Sequence, residues 1–276
     1  DIQHVAEALE KLEFLVVIDI FPNETTRYAD VILPAASFAE KDGTFTSTER
    51  RVQRVRKALE PLGDSKPDWW ITAEIAKRMG AKGFDYDSPS QIMEEIASLT
   101  PAYGGISYER LEAGGLQWPC PTPEHPGTAI LHTESFSRGK GRFVPLEYKP
   151  PKELPDDEYP LLLTTGRNLY HWHTGTMTRK VRDLNRLLGE GMVEINPKDA
   201  EDLGIADGEM VKVSSRRGQV QAKARVTEVV PEGVVYMNFG FAESSANVLT
   251  NAVLDPVAKI PEYKVCAVRV EKNQSR

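Results

Sequence analysis

The densest run of chemistry-bearing side chains is Thr165-Gly166-Arg167-Asn168-Leu169-Tyr170-His171-Trp172-His173-Thr174-Gly175-Thr176-Met177-Thr178. It holds two of the five histidines, a tryptophan, an arginine and four threonines. Glycines let a backbone approach a ligand closely, and successive N–H groups can form an anion nest. The planar fork of Arg167 suits phosphate. Such a run suits a large polar ligand with phosphates and heteroaromatic rings, although a surface loop with an incidental His-x-His has the same composition. Metal binding by His171 and His173 would need a third ligand, and none is obvious. A second hydroxyl- and charge-rich run, Glu40-Lys41-Asp42-Gly43-Thr44-Phe45-Thr46-Ser47-Thr48-Glu49-Arg50-Arg51, follows a strand and could serve as a ligand loop, but its composition favours a solvated hairpin. Asp19 and Asp68 are single carboxylates near element ends. Each could accept the N1–H and amino protons of a guanine, or simply cap a turn. Asn247 and Lys264 are ordinary surface residues when taken alone. No GxSxG, P-loop or GxGxxG occurs, and no paired carboxylates or nucleophilic triad stand out.

The elements that must position these residues fall into two groups. Ile2, Val5, Ala6, Leu9 and Leu12 have helical spacing, and Phe14-Leu15-Val16-Val17-Ile18 is a short apolar run suited to a doubly buried strand. Val31-Ile32-Leu33-Pro34 is a second such run. The order predicts an α/β sheet, whose ligands gather at the C-terminal ends of its strands. Ser65, Pro67 and Asp68 start a helix that runs through Ile71, Ile75 and Met79. Another begins at Ser88-Pro89 and reaches Leu99. Residues 101–157 are rich in Pro, Gly and polar residues and read as a long wrapping connection. The stretch 149–157 is the best boundary, giving a first domain at 1–150 and a second at 151–276.

The second domain reads as β-rich. Strands are expected at 161–165, 192–195, 210–215, 219–226, 234–237 and 266–270, with a capped helix at 196–204 and tight turns at Asp207-Gly208 and Arg217-Gly218. Short strands and tight turns predict a closed barrel.

The chain has 276 residues, 27% of them charged, with a formal net charge of −7 and a pI near 5.4. An acidic total argues against a nucleic-acid platform. Only Cys120 and Cys266 are present, so no CxxC pair, zinc site or iron–sulfur cluster can be built from these thiols alone. Sparse cysteine fits a reducing, cytoplasmic setting. No apolar run approaches the roughly 20 residues of a membrane span. Starting at Asp1 within a helical pattern, the chain reads as a piece of something longer or a processed product.

Four separated motifs carry a family resemblance across essentially the whole chain. The Asp19-Ile20-Phe21-Pro22-Asn23-Glu24-Thr25-Thr26-Arg27-Tyr28-Ala29-Asp30-Val31-Ile32-Leu33-Pro34 run resembles a signature of the molybdopterin oxidoreductase superfamily. The following Glu40–Gln53 segment resembles its Gly-x-x-x-x-x-Glu-Arg-Arg-x-Gln element. Residues 165–178 resemble its dinucleotide-binding loop, and Pro261-Glu262-Tyr263-Lys264 its C-terminal motif. Gln117-Trp118-Pro119-Cys120-Pro121, and the Pro261–Lys264 motif running into Cys266-Ala267-Val268-Arg269-Val270, look most like formate dehydrogenase catalytic subunits. The Arg167–Thr174 loop, with His171-Trp172-His173-Thr174, is shared with periplasmic and assimilatory nitrate reductases and separates the two poorly.

The resemblance implies a bis(molybdopterin guanine dinucleotide) cofactor holding molybdenum or tungsten. It implies a partial Rossmann-like parallel sheet with helices in the first domain and a double-psi β-barrel in the second. The cofactor contacts it implies are Ile18, Asp19, Lys41, Asp68, Thr165, Gly166, Arg167, Asn168, Leu169, Tyr170, His171, Trp172, His173, Thr174, Asn247 and Lys264. Asp68 matches a guanine contact, and Phe239 a position near the substrate funnel of nitrate reductases. The family's metal-ligating cysteine or selenocysteine, its catalytic histidine and arginine, and its [4Fe-4S] cysteines lie upstream and are absent here. The chain is therefore expected to grip the cofactor, bind no cluster and be inactive without an N-terminal portion, with electron-transfer subunits as further partners. The expected activity is formate oxidation to carbon dioxide or the reverse. A nitrate reductase part, or a stand-alone molybdopterin-binding module without turnover, remains the alternative.

Overall fold

Val16–Asp19 (β1) and Val31–Pro34 (β2) pair in parallel, Val16 opposite Val31 through Asp19 opposite Pro34, in the computed structural model, which describes residues 2–273. The ladder continues past β2: Ala35 bridges Lys66 in parallel, and the Ala36 N–H donates to the Lys66 carbonyl at 2.8 Å. The β1–β2 pair therefore leads directly to the start of the helix Asp68–Arg78 (α2). Pro67 precedes that helix, Asp68 lies at its positive end, and Lys77 and Arg78 lie at its negative end, as the helix dipole favours.

The chain divides into two compact units. One takes in Val16–Pro22 and Ala29–Leu146; the other takes in the described residues of Asp1–Leu15, Asn23–Tyr28 and Glu147–Arg276.

In the first unit, Gly43–Thr46 (β3) and Arg51–Val55 (β4) form an antiparallel hairpin, and Leu116–Gln117 (β5) pairs with β4. The hairpin reading of residues 40–51 is therefore correct as secondary structure. Helix α3 (Pro89–Leu99) begins after Ser88 with proline in its first turn, as expected. Within the supposedly irregular 101–157 connection lie a short helix, Tyr108–Glu112 (α4), and β5. Ser107 caps α4 by accepting the Arg110 N–H at 3.3 Å. Val52 has no exposed surface and packs with Met93, Ile106, Leu111 and Cys120. Arg110 ties this region together, donating to the carbonyls of Gly105 and His125, the latter at 2.7 Å.

The second unit is a closed barrel of six strands. They are Leu161–Gly166 (β6), Met192–Ile195 (β7), Met210–Ser214 (β8), Gln219–Val226 (β9), Val234–Asn238 (β10) and Cys266–Lys272 (β11). Their order around the barrel is β10-β6-β11-β8-β9-β7. Two neighbouring pairs, β10 with β6 and β7 with β9, are parallel; the others are antiparallel. Alternation drives the core. Leu161, Leu163 and Thr165 point in, as do Val211 with Val213, Val220 with Ala222 and Ala224, and Val235 with Met237. Helices α1 (Ile2–Glu10), α5 (Arg182–Leu187) and α6 (Pro197–Asp202) complete the unit. Asn196 caps α6 by accepting the Lys198 N–H at 3.0 Å, and Gly204 follows it with φ 65°. Among the described residues no helix is long and apolar enough to cross a membrane.

Candidate functional site

The loop after β6 is shaped by its own polar residues. Asn168 Oδ1 accepts the N–H groups of Tyr170 at 3.0 Å and His171 at 2.7 Å, folding the chain back at once. Tyr236 Oη donates to the Arg167 carbonyl at 2.9 Å, and the Phe239 N–H donates to the Gly166 carbonyl at 2.8 Å. Burial, and then the nearby Glu194 carboxylate, push the Tyr236 hydroxyl above its usual range, which keeps it a donor. His173 (φ 48°) and Gly175 (φ 73°) are both left-handed, so the backbone turns sharply there. Thr174 and Thr176 share a hydroxyl–hydroxyl bond of 2.8 Å.

This folding sorts the loop's side chains. Arg167, Leu169, Tyr170, Trp172, His173 and Thr174 are exposed, and Gly166 and Asn168 are half-buried. His171 is turned inward and is 5% exposed. Its Nε2 faces the Leu188 carbonyl at 2.6 Å and must therefore carry a proton. Its Nδ1 faces Thr178 Oγ1 at 3.3 Å, and that oxygen already accepts the Trp172 N–H at 3.1 Å. Both ring nitrogens are thus engaged by groups of the chain itself. The ring meets Phe241 edge-on, with centroids 5.7 Å apart. His171 braces the loop from within, whereas His173 lies on its outer side. Among the described residues no group of three His, Cys, Asp or Glu converges to hold a metal.

The strand end and the C-terminal motif are joined. Thr165, 3% exposed, donates its hydroxyl to the Tyr263 carbonyl, and Lys264 Nζ donates to the Thr165 carbonyl. The ammonium also lies 5.7 Å from the Phe239 ring centre and 5.3 Å from that of Tyr263. Asn247 is half-buried in a single turn, Ala246–Val248, and its carbonyl accepts the Thr250 hydroxyl at 3.2 Å. Beneath residues 167–170 an open groove of about 750 Å³ runs past Tyr236, Asn238, Glu194 and Arg225.

In the other unit, Ile18 and Asp19 end β1. The Asp19 carboxylate accepts its neighbours' N–H groups, Ile20 at 2.7 Å and Phe21 at 3.3 Å. Lys41 and Asp68, 27 residues apart, are brought into an ion pair. Asp19 and Asp68 both lie where one parallel ladder ends, since the Asp19 carbonyl accepts the Ala35 N–H at 3.1 Å and Ala35 bridges Lys66. That is the edge where α/β sheets collect ligands.

Two residues outside the sequence-derived set belong to this arrangement. Arg179, one residue past the loop, pairs with Glu243. A cation directly after Thr178 was visible in the sequence; its partner, 64 positions away, had no sequence signal.

Residues 1–78 match the family described as "Molybdopterin oxidoreductase", and residues 161–267 match "Molydopterin dinucleotide binding domain". The chain is 56% identical over 275 residues to an F420-dependent formate dehydrogenase 2 subunit alpha of Methanococcus maripaludis, covering 99% of this chain and 41% of that protein. It is 52% identical over 275 residues to an F420-dependent formate dehydrogenase subunit alpha of Methanocaldococcus jannaschii, again covering 99% and 41%. An assimilatory nitrate reductase catalytic subunit of Bacillus subtilis is more distant, at 41% over 278 residues, covering 96% and 39%. Among solved structures, acetylene hydratase from Pelobacter acetylenicus superposes with a TM-score of 0.75 at 19% identity, over 98% of this chain and 42% of that one. That likeness shows a shared fold. The chain thus spans about two fifths of the length of these relatives.

Proposed function

This chain belongs to the molybdopterin oxidoreductase family and carries its dinucleotide-binding domain, and from that premise we propose that it is the cofactor-gripping C-terminal part of a formate dehydrogenase catalytic subunit. The observation that carries the grip is the loop at 167–174. It presents a guanidinium, hydroxyls, an indole and an imidazole outward while its own polar groups and His171 fix its shape. Formate is favoured over nitrate by the identity gap, 56% against 41% over nearly the same residues.

The donor set fits a bis(molybdopterin guanine dinucleotide). The left-handed backbone at His173 and Gly175, with Arg167 and Thr174 beside it, suits phosphate oxygens. The exposed Trp172 and Tyr170 rings suit fused heterocycles. Lys264 and Asn247 add donors from the barrel. Ile18, Asp19, Lys41 and Asp68 add contacts from the α/β part, Asp68 to a guanine. When bound, the cofactor supplies the molybdenum or tungsten centre and the electron path for formate oxidation to carbon dioxide or its reverse. The residues of this chain bind phosphate, orient the rings and, through the buried His171, brace the loop from behind. Among the described residues no group of three His, Cys, Asp or Glu gathers to hold a metal, and on this reading the metal ligands, the proton-transfer groups and the iron–sulfur cluster belong to the N-terminal portion, without which the chain turns over no substrate.

Finer features of the fold follow the same reading. The two parallel pairs in the six-stranded barrel support a double-psi arrangement. The β1–β2 pair, with Ile32 half exposed, supports a Rossmann-like sheet completed by strands from an N-terminal portion. We assign the functional boundary to residue 150, the working compartment to the cytoplasm and electron-transfer subunits as partners. The test is reconstitution. Co-expressed with the N-terminal portion of the full-length protein, the chain should restore formate oxidation from zero. Nitrate reduction instead would overturn formate, and cofactor binding without any turnover would indicate a binding module.

A further inference from the structure

The floor of the 166–178 loop is made by the turn that follows β10. The Arg179 guanidinium lies over the Phe241 ring, 4.6 Å from its centre, and forks onto the Glu243 carboxylate with bonds of 2.9 and 2.7 Å. The same ring receives the edge of His171. Guanidinium, ring and imidazole therefore form one block joining the loop to the turn Ala242–Ser244. Backbone contacts leave this block little slack. The Arg179 N–H donates to the Gly175 carbonyl at 2.9 Å, and Asn185 Nδ2 donates to the Arg179 carbonyl. A Cβ placed on Gly175 would lie 2.8 Å from both Arg179 Cδ and the Gly240 carbonyl oxygen.

The block also concentrates cost. Among the described residues, the buried side-chain polar atoms without a partner are Arg54 Nε, Arg179 Nε, Asn185 Oδ1 and Ser244 Oγ, and the last three belong to it. Each unpaired group opposes burial. What offsets them is the two-pronged, charge-assisted bond between Arg179 and Glu243, set against an aromatic face. An ordinary exposed ion pair contributes little; the fork and the ring distinguish this one.

We infer that Arg179, clamped by Glu243, is a positioning residue that holds the 167–174 loop and the Asn247 turn in one arrangement. Glu243 stands four residues before Asn247, so a single ion pair fixes two segments that sequence alone offers as separate cofactor contacts. The inference rests on the reading of that loop as a cofactor contact, and its test separates the two.

Amide exchange is followed by mass spectrometry on cofactor-free full-length protein carrying Arg179→Met, Glu243→Gln or the exchange Arg179→Glu with Glu243→Arg. Glu243 is half exposed, so Glu243→Gln keeps the fold if Arg179→Met does not. Peptides from 167–178 and 242–248 should exchange about tenfold faster in the single variants, while β8 and β9 stay unchanged. The exchanged pair should restore much of the protection, which a merely space-filling role would not. The second readout is guanine released per protein on denaturing the loaded enzyme, expected to fall in the single variants. Unchanged loop exchange in Glu243→Gln overturns the clamp. Faster exchange with full guanine content leaves the clamp standing and overturns the loop as a cofactor contact.

Discussion

Lys264 Nζ donates to the carbonyl of Thr165, a residue 99 positions earlier, while the Thr165 hydroxyl donates to the Tyr263 carbonyl. The end of β6 and the C-terminal motif are thus stitched by reciprocal bonds. Thr165→Val keeps the shape and removes the hydroxyl, leaving the Tyr263 carbonyl unpaired at a buried strand end. It should destabilise by about 1–2 kcal/mol. Lys264→Met keeps the stem and removes the charge. It should cost about 1 kcal/mol of stability and also lower the guanine retained by the full-length protein. Denaturant titration and nucleotide content check these separately. Equal retention in Lys264→Met and the parent would remove Lys264 from the cofactor contacts.

His171 and Trp172 are neighbours with opposite surroundings. His171→Ala removes two hydrogen bonds and an edge-on ring contact from a buried site, and should cost about 2–4 kcal/mol. Trp172 is 62% exposed, so Trp172→Ala should change stability by less than about 0.5 kcal/mol while weakening cofactor retention. A large stability loss in Trp172→Ala, or none in His171→Ala, would reverse these assignments.

The barrel was legible where burial and alternation coincide: in β9, Val220, Ala222 and Ala224 face in while Gln219, Gln221 and Lys223 do not, a period of two that sequence displays directly. Helix α4 and strand β5 were not legible, because five and two residues carry no period. Asn196 and Gly204 marked both ends of α6 correctly because capping chemistry is local. The site divides along the same line. The outward-facing polar and aromatic chemistry of 167–174 is contiguous and visible, but the inward turn of His171 depends on Leu188 and Phe241, and the Lys41–Asp68 pair on the register of β2 with Lys66.

Glu153 shows how composition conceals a structural role. It lies in the Pro-rich stretch that reads as a boundary, yet it accepts the Ala267 N–H at 3.0 Å and pairs with Arg216 and Arg217. Arg217 also donates to the Leu249 carbonyl, at 3.1 and 2.7 Å. Glu153→Gln leaves a mostly buried guanidinium without its counter-charge and should destabilise the barrel by about 2–4 kcal/mol. Denaturant unfolding followed through barrel signals measures it, and a neutral result would make the network dispensable.

Cys266 sits inside the barrel, and burial pushes its thiol up from an ordinary value near 9.0 to about 11, with Arg217 opposing and Glu153 reinforcing the shift. The folded state therefore holds this proton where the unfolded state releases it. The resulting stabilisation is complete below about pH 9 and is lost as pH rises towards 11. Cys266→Ser should flatten the fall in stability across that window. Thiol labelling at pH 8 should be slow in the native protein and fast after unfolding. Rapid native labelling at Cys266 would contradict the burial.

Gly240 (φ 99°) lies under the loop, where a Cβ would come within 2.8 Å of the His173 carbonyl oxygen. Gly233 (φ 75°) is also left-handed but would meet nothing within 4 Å. Alanine at either position carries backbone strain of about 1–3 kcal/mol. Only Gly240→Ala also collides with backbone, and His173 cannot yield without moving Thr174 and Gly175. Gly240→Ala should therefore unfold at clearly lower denaturant than Gly233→Ala, with faster amide exchange at 171–178. Equal midpoints for the two variants would mean that the loop does not rest on the Gly240 backbone.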